Sequence, residues 1–320
     1  MSEHILLGKD LVKDYPVSSG LLRPRLNVRA VDHINISIKT GVTLGLVGES
    51  GCGKTSLSRL LLHLEQPSSG IVQFDGHDIW RHDAVHIAAY RLAVQPVFQN
   101  PYSSLDPRMR VGDIIGEPLL NSALRKDERL ERVSQALAKV GLSGEDARKF
   151  PAEFSGGQRQ RIAIARALAA QPRIMILDEC VSSQDVSIRA QILNLLKDLR
   201  DDLGLGFLFI GHDLPSVRYM SDEIAVMYLG RIVEQGPADA ICHQPRHPYT
   251  QALIASCLPS DPDQAAQGAP PKGELPSPLD PPKGCAFHPR CPLADEICTQ
   301  IRPELNDDGT GRRLACHHPI

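Results

Sequence analysis

Near the start of the chain, apolar residues first alternate with polar ones and then form short continuous runs. Ile34, Ile36 and Ile38 alternate with polar neighbours, which predicts a half-buried strand, and the run 43–47 predicts a fully buried strand. Further strands are predicted at 70–76, 93–98, 174–177 and 207–210. None of these apolar runs approaches the roughly 18 residues that a membrane-spanning helix needs.

Helical periodicity appears between these strands. An apolar-faced helix is predicted from Lys54 to about Leu64, and residues 100–160 show helical periodicity with no strand, which predicts a helical insert. A later helix has one apolar stripe, formed by Ile188, Ile192, Leu195, Leu196 and Leu199. The alternation of strand and helix predicts an α/β fold whose sheet is mostly parallel and covered on both faces.

Length and charge narrow the functional classes. At 320 residues the chain is longer than most single domains, so we expect one large α/β core with appendages. The formal net charge of −3 gives no electrostatic reason to expect nucleic acid as a partner. The first residues have no basic flank before an apolar stretch, so no signal peptide is predicted. If the protein serves a membrane, we expect it to act from the cytoplasmic face, docked on a partner.

A Gly-rich motif follows the buried strand 43–47. Gly48-Glu-Ser-Gly-Cys-Gly-Lys-Thr55 fits the P-loop pattern between a predicted strand and a predicted helix, the context that the motif requires. Its backbone N–H groups and the helix N-terminus can cradle phosphates, Lys54 can reach the β- and γ-phosphates, and Thr55 can ligate Mg²⁺. The candidate ATP-binding residues here are Gly48, Glu49, Ser50, Gly51, Cys52, Gly53, Lys54, Thr55 and Ser56.

Two acidic residues end the apolar strand 174–177. A buried strand that finishes in Asp178 and Glu179 needs a reason, because burying unpaired carboxylates is costly. Asp178 can hold Mg²⁺ through water, and Glu179 can act as general base towards the attacking water.

The segment Phe154-Ser-Gly-Gly-Gln158 resembles the signature motif of ABC ATPases, and four further features resemble that family in the same order along the chain. These are Tyr15 as the adenine-stacking aromatic, Gln99 after a strand, Ser182-Ser-Gln-Asp185 as the D-loop, and His212 as the switch histidine. The resemblance implies an ABC-type P-loop ATPase core with an antiparallel β subdomain and a helical subdomain at about 100–160.

This resemblance also implies how the residues act. Glu179, His212 and Gln99 would be catalytic, and Thr55, Gln99 and Asp178 would hold Mg²⁺. The signature residues Ser155, Gly156, Gly157 and Gln158 would contact ATP held by the opposite subunit of a head-to-tail pair. Cys180 and Gln184 depart from the family pattern, which usually has proline and leucine there, and leave open how tightly the two composite sites are coupled.

Three other stretches resemble the ATP-binding subunits of oligopeptide and dipeptide importers, in particular the second ATPase, or type F subunit, of such systems. They are 97–107, 245–253, and 273–279 followed by 284–291. The resemblance implies a non-identical partner ATPase, two transmembrane permease subunits and an extracytoplasmic solute-binding protein. Relatives that carry nickel, metal chelates, glutathione or opines remain alternatives, and an ABC exporter ATPase is a further one. A soluble DNA-repair type is disfavoured, because about 100 residues between Lys54 and Ser155 leave no room for a long coiled coil.

The end of the chain is rich in proline and then in cysteine. Eight prolines in the 24 residues 259–282 predict a stiff linker. We therefore expect an ATPase domain at 1–258, a linker at 259–283 and a tail at 284–320, held apart from the ATP site.

Four cysteines crowd this tail, at Cys285, Cys291, Cys298 and Cys316. A cytoplasmic chain keeps its thiols reduced, so the cluster indicates a metal site before it indicates disulfides. The spacing lacks the C-x2-C pairs of common zinc ribbons, and four thiolates can hold either a [4Fe–4S] cluster or Zn²⁺. Some ATPases that resemble this one carry an iron–sulfur cluster on these cysteines. We expect that cluster, with Zn²⁺ or four free thiols as alternatives.

Overall fold

The computed structural model describes residues 6–17, 26–81, 83–99, 104–182, 184–256 and 274–320. The strands are β1 (Leu6–Val17), β2 (Leu26–Ile38), β3 (Thr43–Val47), β4 (Ser69–Phe74), β5 (His77–Asp78), β6 (Val94–Val97), β7 (Ile174–Asp178), β8 (Gly206–Ile210), β9 (Glu223–Tyr228), β10 (Arg231–Pro237), β11 (Asn306–Asp307) and β12 (Arg313–Leu314). The α-helices are α1 (Lys54–Leu61), α2 (Ala84–Ala93), α3 (Val111–Gly116), α4 (Lys126–Lys139), α5 (Gly156–Ala169), α6 (Val186–Leu203), α7 (Leu214–Met220), α8 (Ala238–His243), α9 (Pro248–Ala255) and α10 (Glu296–Gln300).

A large sheet forms the centre of the fold, with strand order β11-β12-β10-β9-β3-β8-β7-β6. From β9 to β6 neighbouring strands are parallel, and β10, β12 and β11 add antiparallel pairings at one edge. β3, β7 and β8 are buried at every position, as expected of parallel strands with both faces covered. The predicted α/β fold is confirmed, and the P-loop, Gln99, Glu179 and His212 follow the carboxyl ends of β3, β6, β7 and β8.

A smaller antiparallel sheet, ordered β2-β1-β4-β5, stands beside the large one. Ile34, Ile36 and Ile38 of β2 are buried in a core that also includes α1 residues such as Leu57 and Leu60. The face of the small sheet that carries these alternating residues therefore packs against the P-loop helix α1. The expected antiparallel subdomain is this sheet.

The predicted helical insert is present between β6 and β7. α3, α4 and α5 pack against one another, and the described residues between β6 and β7 contain no strand. No helix among the described residues is both long enough and apolar enough to cross a bilayer.

The end of the chain packs onto the core. β12 pairs with β10, and Arg312 donates a hydrogen bond to Glu234 of β10, a residue that is fully buried. The described part of the linker, 274–283, contains no helix or strand, and its first part lies outside the described residues. The tail also buries Phe287 in the main core. The expectation that the tail is held apart from the ATP site is wrong, because Arg290 of the tail forms an ion pair with Glu49 of the P-loop. The division at residues 258 and 283 stays a prediction.

Candidate nucleotide site

The P-loop joins β3 to α1, and at two of its positions there is room only for glycine. Gly53 has φ 110°, and a Cβ there would lie 2.0 Å from the carbonyl oxygen of Ala30. Gly48 has φ 159°, and its Cβ would lie 2.2 Å from the carbonyl oxygen of Met227. The loop is therefore held between β2 and the end of β9, with its curvature set by backbone contacts.

Lys54 is buried within this loop. Its ammonium donates hydrogen bonds to the carbonyl oxygens of Gly48, at 2.8 Å, and Glu49, at 3.1 Å. Cys52 lies beside it, with 3.8 Å between Nζ and Sγ, and burial raises the pKa of the Cys52 thiol. A lysine aimed across the loop in this way suits the charge of a phosphate chain.

Glu49 is held from outside the loop by two residues that sequence reasoning missed. Its N–H donates to the hydroxyl of Tyr249, at 2.9 Å. Arg290 of the tail donates from both terminal nitrogens to the Glu49 carboxylate, at 2.9 and 3.0 Å. Both residues lie in stretches that resemble importer ATPases, 245–253 and 284–291, but nothing in those stretches pointed to the P-loop.

Asp178 ends β7 beneath α1. Burial raises the pKa of its carboxyl, while a hydrogen bond of 3.1 Å from the Ser58 hydroxyl lowers it. The same hydroxyl lies 2.9 Å from the carbonyl oxygen of Thr55, so its single proton is shared between this carbonyl and the Asp178 carboxylate. A buried carboxylate held by a single hydroxyl fits a divalent cation with oxygen ligands.

The three expected catalytic residues come together at the carboxyl ends of β6, β7 and β8. The side-chain amide of Gln99 donates to the Glu179 carboxylate at 2.8 Å, and Nδ1 of His212 lies 3.4 Å from the same oxygen. Glu179 itself is left-handed, with φ 47°, and its N–H donates to the carbonyl oxygen of Ile210. A non-glycine residue in that conformation is a strained position of the type found at functional sites.

Tyr15 lies on β1, half-buried. Its hydroxyl donates to Glu65 at 2.5 Å, and the Lys13 ammonium lies 5.2 Å from its ring centroid. Burial is the main cause that raises the pKa of Tyr15, and a hydrogen bond with Ser56 lowers it. The Tyr15 hydroxyl is therefore within hydrogen-bond reach of Ser56, the last of the P-loop candidates.

The signature and D-loop residues cap two helices. The Ser155 hydroxyl accepts from the N–H of Gln158, whose side chain accepts in return from the N–H of Ser155, a capping box at the start of α5. Asp185 accepts from the N–H of Ile188 at the start of α6, and the hydroxyl of Ser182 donates to the Glu179 carbonyl at 2.9 Å. Among the described residues, no hydrogen bond or ion pair joins 155–158 to 48–56.

The two departures from the family pattern flank this site. Cys180 is fully buried, and burial raises the pKa of its thiol to about 12, so it stays neutral at physiological pH. The Gln184 carbonyl accepts from Arg189, which also pairs with Asp213 after β8. Neither residue contacts the Glu179 carboxylate among the described contacts.

The four tail cysteines lie in one region as reduced thiols. The N–H of Cys285 donates to the Cys298 carbonyl at 2.8 Å, and Gly284 has φ 65° where a Cβ would lie 2.4 Å from that oxygen. The pKa of Cys316 is raised to about 11, mainly by burial and to a smaller extent by the charges of Cys285, Cys291 and Cys298.

One group of three metal-binding side chains within the described ranges has its ligand atoms within 4.8 Å of one another, and it is Asp295, Cys298 and His318. His318 pairs with Asp295 at 2.9 Å, and Asp295 caps α10 by accepting from the N–H of Cys298. This group is therefore explained by an ion pair and a helix cap, and it contains only one of the four cysteines.

Two family models match the chain. The ABC transporter model matches residues 31–182, and the model for the oligopeptide/dipeptide transporter C-terminal region matches residues 233–298. Dipeptide transport ATP-binding protein DppF of Escherichia coli (strain K12) is 49% identical over 99% of this chain and 95% of that protein. Oligopeptide transport ATP-binding protein AppF of Bacillus subtilis (strain 168) is 44% identical over 98% of this chain and 97% of that protein.

Solved structures match the same fold. CbiO1 of Clostridium perfringens, part of the ABC transporter complex cbiONQ, has a TM-score of 0.65 and 29% identity, over 76% of this chain and 93% of that chain. The ATP-binding cassette MJ0796, as a dimer in a post-hydrolysis state with ADP and Pi, has a TM-score of 0.62 and 26% identity, over 73% and 99%. The chain therefore belongs to the ABC transporter family, as an ATP-binding subunit and ATPase of the group with the oligopeptide/dipeptide transporter C-terminal region.

Proposed function

We propose that this chain hydrolyses ATP to energise the import of di- and oligopeptides through a membrane transporter. The observation that carries the proposal is the meeting of Glu179, Gln99 and His212 beside the P-loop. Peptide cargo is supported by the names of relatives that align over nearly the whole chain, among them the di/tripeptide transport protein DppF of Pseudomonas aeruginosa (strain UCBPP-PA14), 46% identical over 99% of this chain and 98% of that protein.

The P-loop would bind the phosphates of ATP. Lys54, buried and already hydrogen-bonded to loop carbonyls, would exchange those neutral acceptors for phosphate oxygens, which are stronger partners for an ammonium. Thr55, Gln99 and Asp178 would hold Mg²⁺, which when bound neutralises charge on the phosphates. Tyr15 would stack on adenine.

Glu179 would accept the proton of the attacking water. Gln99 and His212 both contact the same oxygen of its carboxylate, and in the proposed mechanism the other oxygen would accept the proton. The left-handed backbone of Glu179 fixes the side chain directly after Asp178 without continuing β7. Base and metal ligand are therefore presented by neighbouring residues, in roles that differ because their surroundings differ.

The active unit would be a head-to-tail pair with a second, non-identical ATPase. Ser155 is exposed at the N-terminus of α5, and the helix N-terminus suits a phosphate offered by another subunit. Ser182 and Asp185 would form the D-loop at that interface. The pair would bind two transmembrane permease subunits at the cytoplasmic face of the inner membrane, fed by an extracytoplasmic solute-binding protein.

The tail would hold a [4Fe–4S] cluster on Cys285, Cys291, Cys298 and Cys316. The donor set supports this, because four reduced thiols influence one another's charge in one region. A single Zn²⁺ binds thiolates at about 2.3 Å, which requires sulfur atoms roughly 3.8 Å apart. Zn²⁺ is the alternative for this donor set, and the resemblance to ATPases that carry such a cluster is what favours iron and sulfide. Iron, sulfide and zinc analysis after anaerobic purification distinguishes the two.

Reconstitution tests the proposed function directly. The chain is assembled with its partner ATPase and permeases in liposomes, with the solute-binding protein and labelled dipeptide outside and Mg²⁺–ATP inside. Uptake that requires ATP and is lost with Lys54→Ala supports peptide import. Uptake of nickel, glutathione or an opine in place of peptide would reassign the cargo, and movement in the opposite direction would make the system an exporter.

A further inference from the structure

The tail segment 284–291, here called the brace, is anchored beneath the P-loop by an aromatic cluster. Phe287 is 2% exposed, and its ring centroid lies 5.4 Å from that of Tyr228 and 5.4 Å from that of Tyr249. The rings of Tyr228 and Tyr249 are themselves 4.6 Å apart. The brace carries Cys285 and ends at Cys291, so two of the four tail cysteines sit on a segment packed into the main core.

The brace reaches the P-loop through one side chain. Arg290 forms the two-pronged ion pair with Glu49, and its own side chain is only 7% exposed. The carboxylate also holds the pKa of the Arg290 guanidinium above its usual value. A bidentate arginine–carboxylate pair is directional and strong for its type, because both N–H groups and both oxygens have fixed positions.

The hydrogen bonds of Glu49 help to fix the position of the P-loop. Its N–H is bonded to Tyr249 and its carbonyl accepts from the Lys54 ammonium at 3.1 Å. The loop backbone is also held at Cys52, whose carbonyl accepts a hydrogen bond of 2.8 Å from the N–H of Gly230. A shift of the Glu49 side chain therefore moves the backbone oxygen that positions Lys54.

We propose that Arg290 is a positioning residue of the ATP site, and that the brace makes ATP affinity depend on whether the tail is folded on its four cysteines. The pair links two features that the sequence places about 240 residues apart. A loop that is held before ATP arrives has less order to gain on binding. The inference rests on the proposed binding of ATP at the P-loop.

The first experiment measures ATP affinity by calorimetry, with Mg²⁺, in Arg290→Gln, Glu49→Gln and the double variant. We expect each single change to weaken ATP binding about tenfold, and the double variant to be no weaker than either single one, because both remove the same contact. Arg290→Lys should lie between, since it keeps the charge and loses the fork. Arg246→Gln is the matched control, because it removes another ion pair between core and tail, to Asp308, and should leave ATP affinity unchanged.

Additive losses in the double variant, or wild-type affinity in Arg290→Gln, would overturn the proposal. A purely structural role predicts instead a lower melting temperature with unchanged affinity, so melting curves are recorded for every variant. Lys54→Ala separates failure of this proposal from failure of the proposed function. If the wild type binds no ATP, the proposed function is wrong. If Lys54→Ala weakens ATP binding and Arg290→Gln does not, only the role of Arg290 is wrong.

The second experiment tests the link to the cysteines through nucleotide affinity alone. Cys298→Ser is introduced into the wild type and into Arg290→Gln, and the metal content of each preparation is measured. We expect Cys298→Ser to weaken ATP binding several-fold in the wild type and to have no further effect in Arg290→Gln, because the route through the brace is already cut. An equal loss in both backgrounds would show that the tail acts by another route and would overturn the proposal.

Discussion

Two carboxylates stand side by side at the end of β7, and the fold gives them different surroundings. Asp178 is 8% exposed, beneath α1, with a hydroxyl as its neighbour. Glu179 turns away through a left-handed backbone to meet Gln99 and His212. The first is thus placed to hold a cation and the second to handle a proton, which is how a pair of similar side chains can be assigned separate roles.

Replacing Glu179 with glutamine tests the second role. We expect turnover to fall by about 10²–10⁴-fold, the contribution of a positioned general base. ATP binding should be retained, because glutamine has nearly the same shape and can still bond to Gln99. Phosphate release and ATP binding are measured on the same preparation, with Glu131→Gln on the exposed face of α4 as control. Normal turnover in Glu179→Gln would exclude it as the base.

Replacing Asp178 with asparagine tests the first role through stability. Burial raises the pKa of Asp178 in the folded state above its unfolded value, so ionisation opposes folding. This cost is absent below the unfolded pKa and is fully present once the pH has risen past the folded pKa. Without nucleotide, Asp178→Asn should therefore melt a few degrees higher than the wild type at pH 8, and the gain should shrink as the pH falls.

The same variant should lose Mg²⁺-dependent ATP hydrolysis, because a neutral amide cannot replace the carboxylate at a divalent cation. Asp198→Asn, on the exposed side of α6, is the control for both measurements. A melting gain that grows as the pH falls would mean that ionisation of Asp178 favours folding, and full hydrolysis would remove Asp178 from the Mg²⁺ site.

At the scale of elements, the P-loop depends on how closely two strands approach it. Gly51 and Gly53 are both left-handed, with φ 80° and 110°, but they differ in the space around them. A Cβ at Gly51 would meet nothing within 4 Å, whereas one at Gly53 would overlap the β2 backbone at Ala30. Of these two positions, only Gly53, at the turn into α1, is sterically tight.

Alanine at these two positions should separate the cost of a left-handed backbone from the cost of steric overlap. Gly51→Ala should cost about 1–2 kcal/mol of stability, the usual penalty for a left-handed non-glycine residue. Gly53→Ala should cost clearly more, and it should also weaken ATP binding, because the backbone of β2 or the loop has to shift. Urea unfolding and ATP calorimetry on both variants provide the comparison. Equal effects would mean that the loop relaxes freely around residue 53.

The elements that the sequence predicted share one property, a regular pattern with a motif at its end. The strand 174–177 and the run 43–47 are continuous and apolar, and β7 and β3 lie within one residue of those limits. The short strands of the tail were missed, because β11 and β12 have only two residues each; β12 pairs with β10, and β11 pairs with β12. Such strands have no periodicity, since their position is set by a distant partner.

The candidate site divides in the same way. Local motifs identified Lys54, Asp178 and Glu179, because a P-loop or an acidic strand end can be recognised from a few consecutive residues. The contact between Arg290 and Glu49 was not predictable, and the Pro-rich segment before it favoured a detached tail. What decides that contact is burial of Phe287 in the core, which depends on the folded positions of Tyr228 and Tyr249.

At the scale of the whole molecule, the two halves of the expected ATP site do not meet in one copy. Ser155 and Gly156 begin α5 and face outward, and the described contacts join neither of them to the P-loop. The family relatives of known structure include a dimeric cassette with ADP and Pi. A second subunit is therefore the natural source of the missing half, and the identity of that subunit can be tested with inactive variants.

Two variants block opposite halves of a composite site. Lys54→Ala spoils the P-loop and leaves the signature intact, while Gly156→Asp places a negative charge where the γ-phosphate of the opposite subunit would lie. The helix should tolerate Gly156→Asp, because an acidic residue in the first turn interacts favourably with the helix dipole. If this chain pairs with itself, mixing the two inactive variants restores turnover, since one of the two sites in each hybrid has both intact halves.

If instead the chain requires a different ATPase, we expect the mixture to stay inactive and the wild-type chain alone to turn over slowly. Adding the partner subunit should then activate the wild type. Lys54→Ala should keep one active site, which uses the partner's P-loop. Gly156→Asp should also keep one active site, which uses this chain's own P-loop. Turnover is followed by phosphate release across a range of protein concentrations. A fast rate from the wild-type chain alone, independent of its concentration, would exclude the need for a different ATPase, and an inactive mixture of the two variants beside it would exclude self-pairing as well.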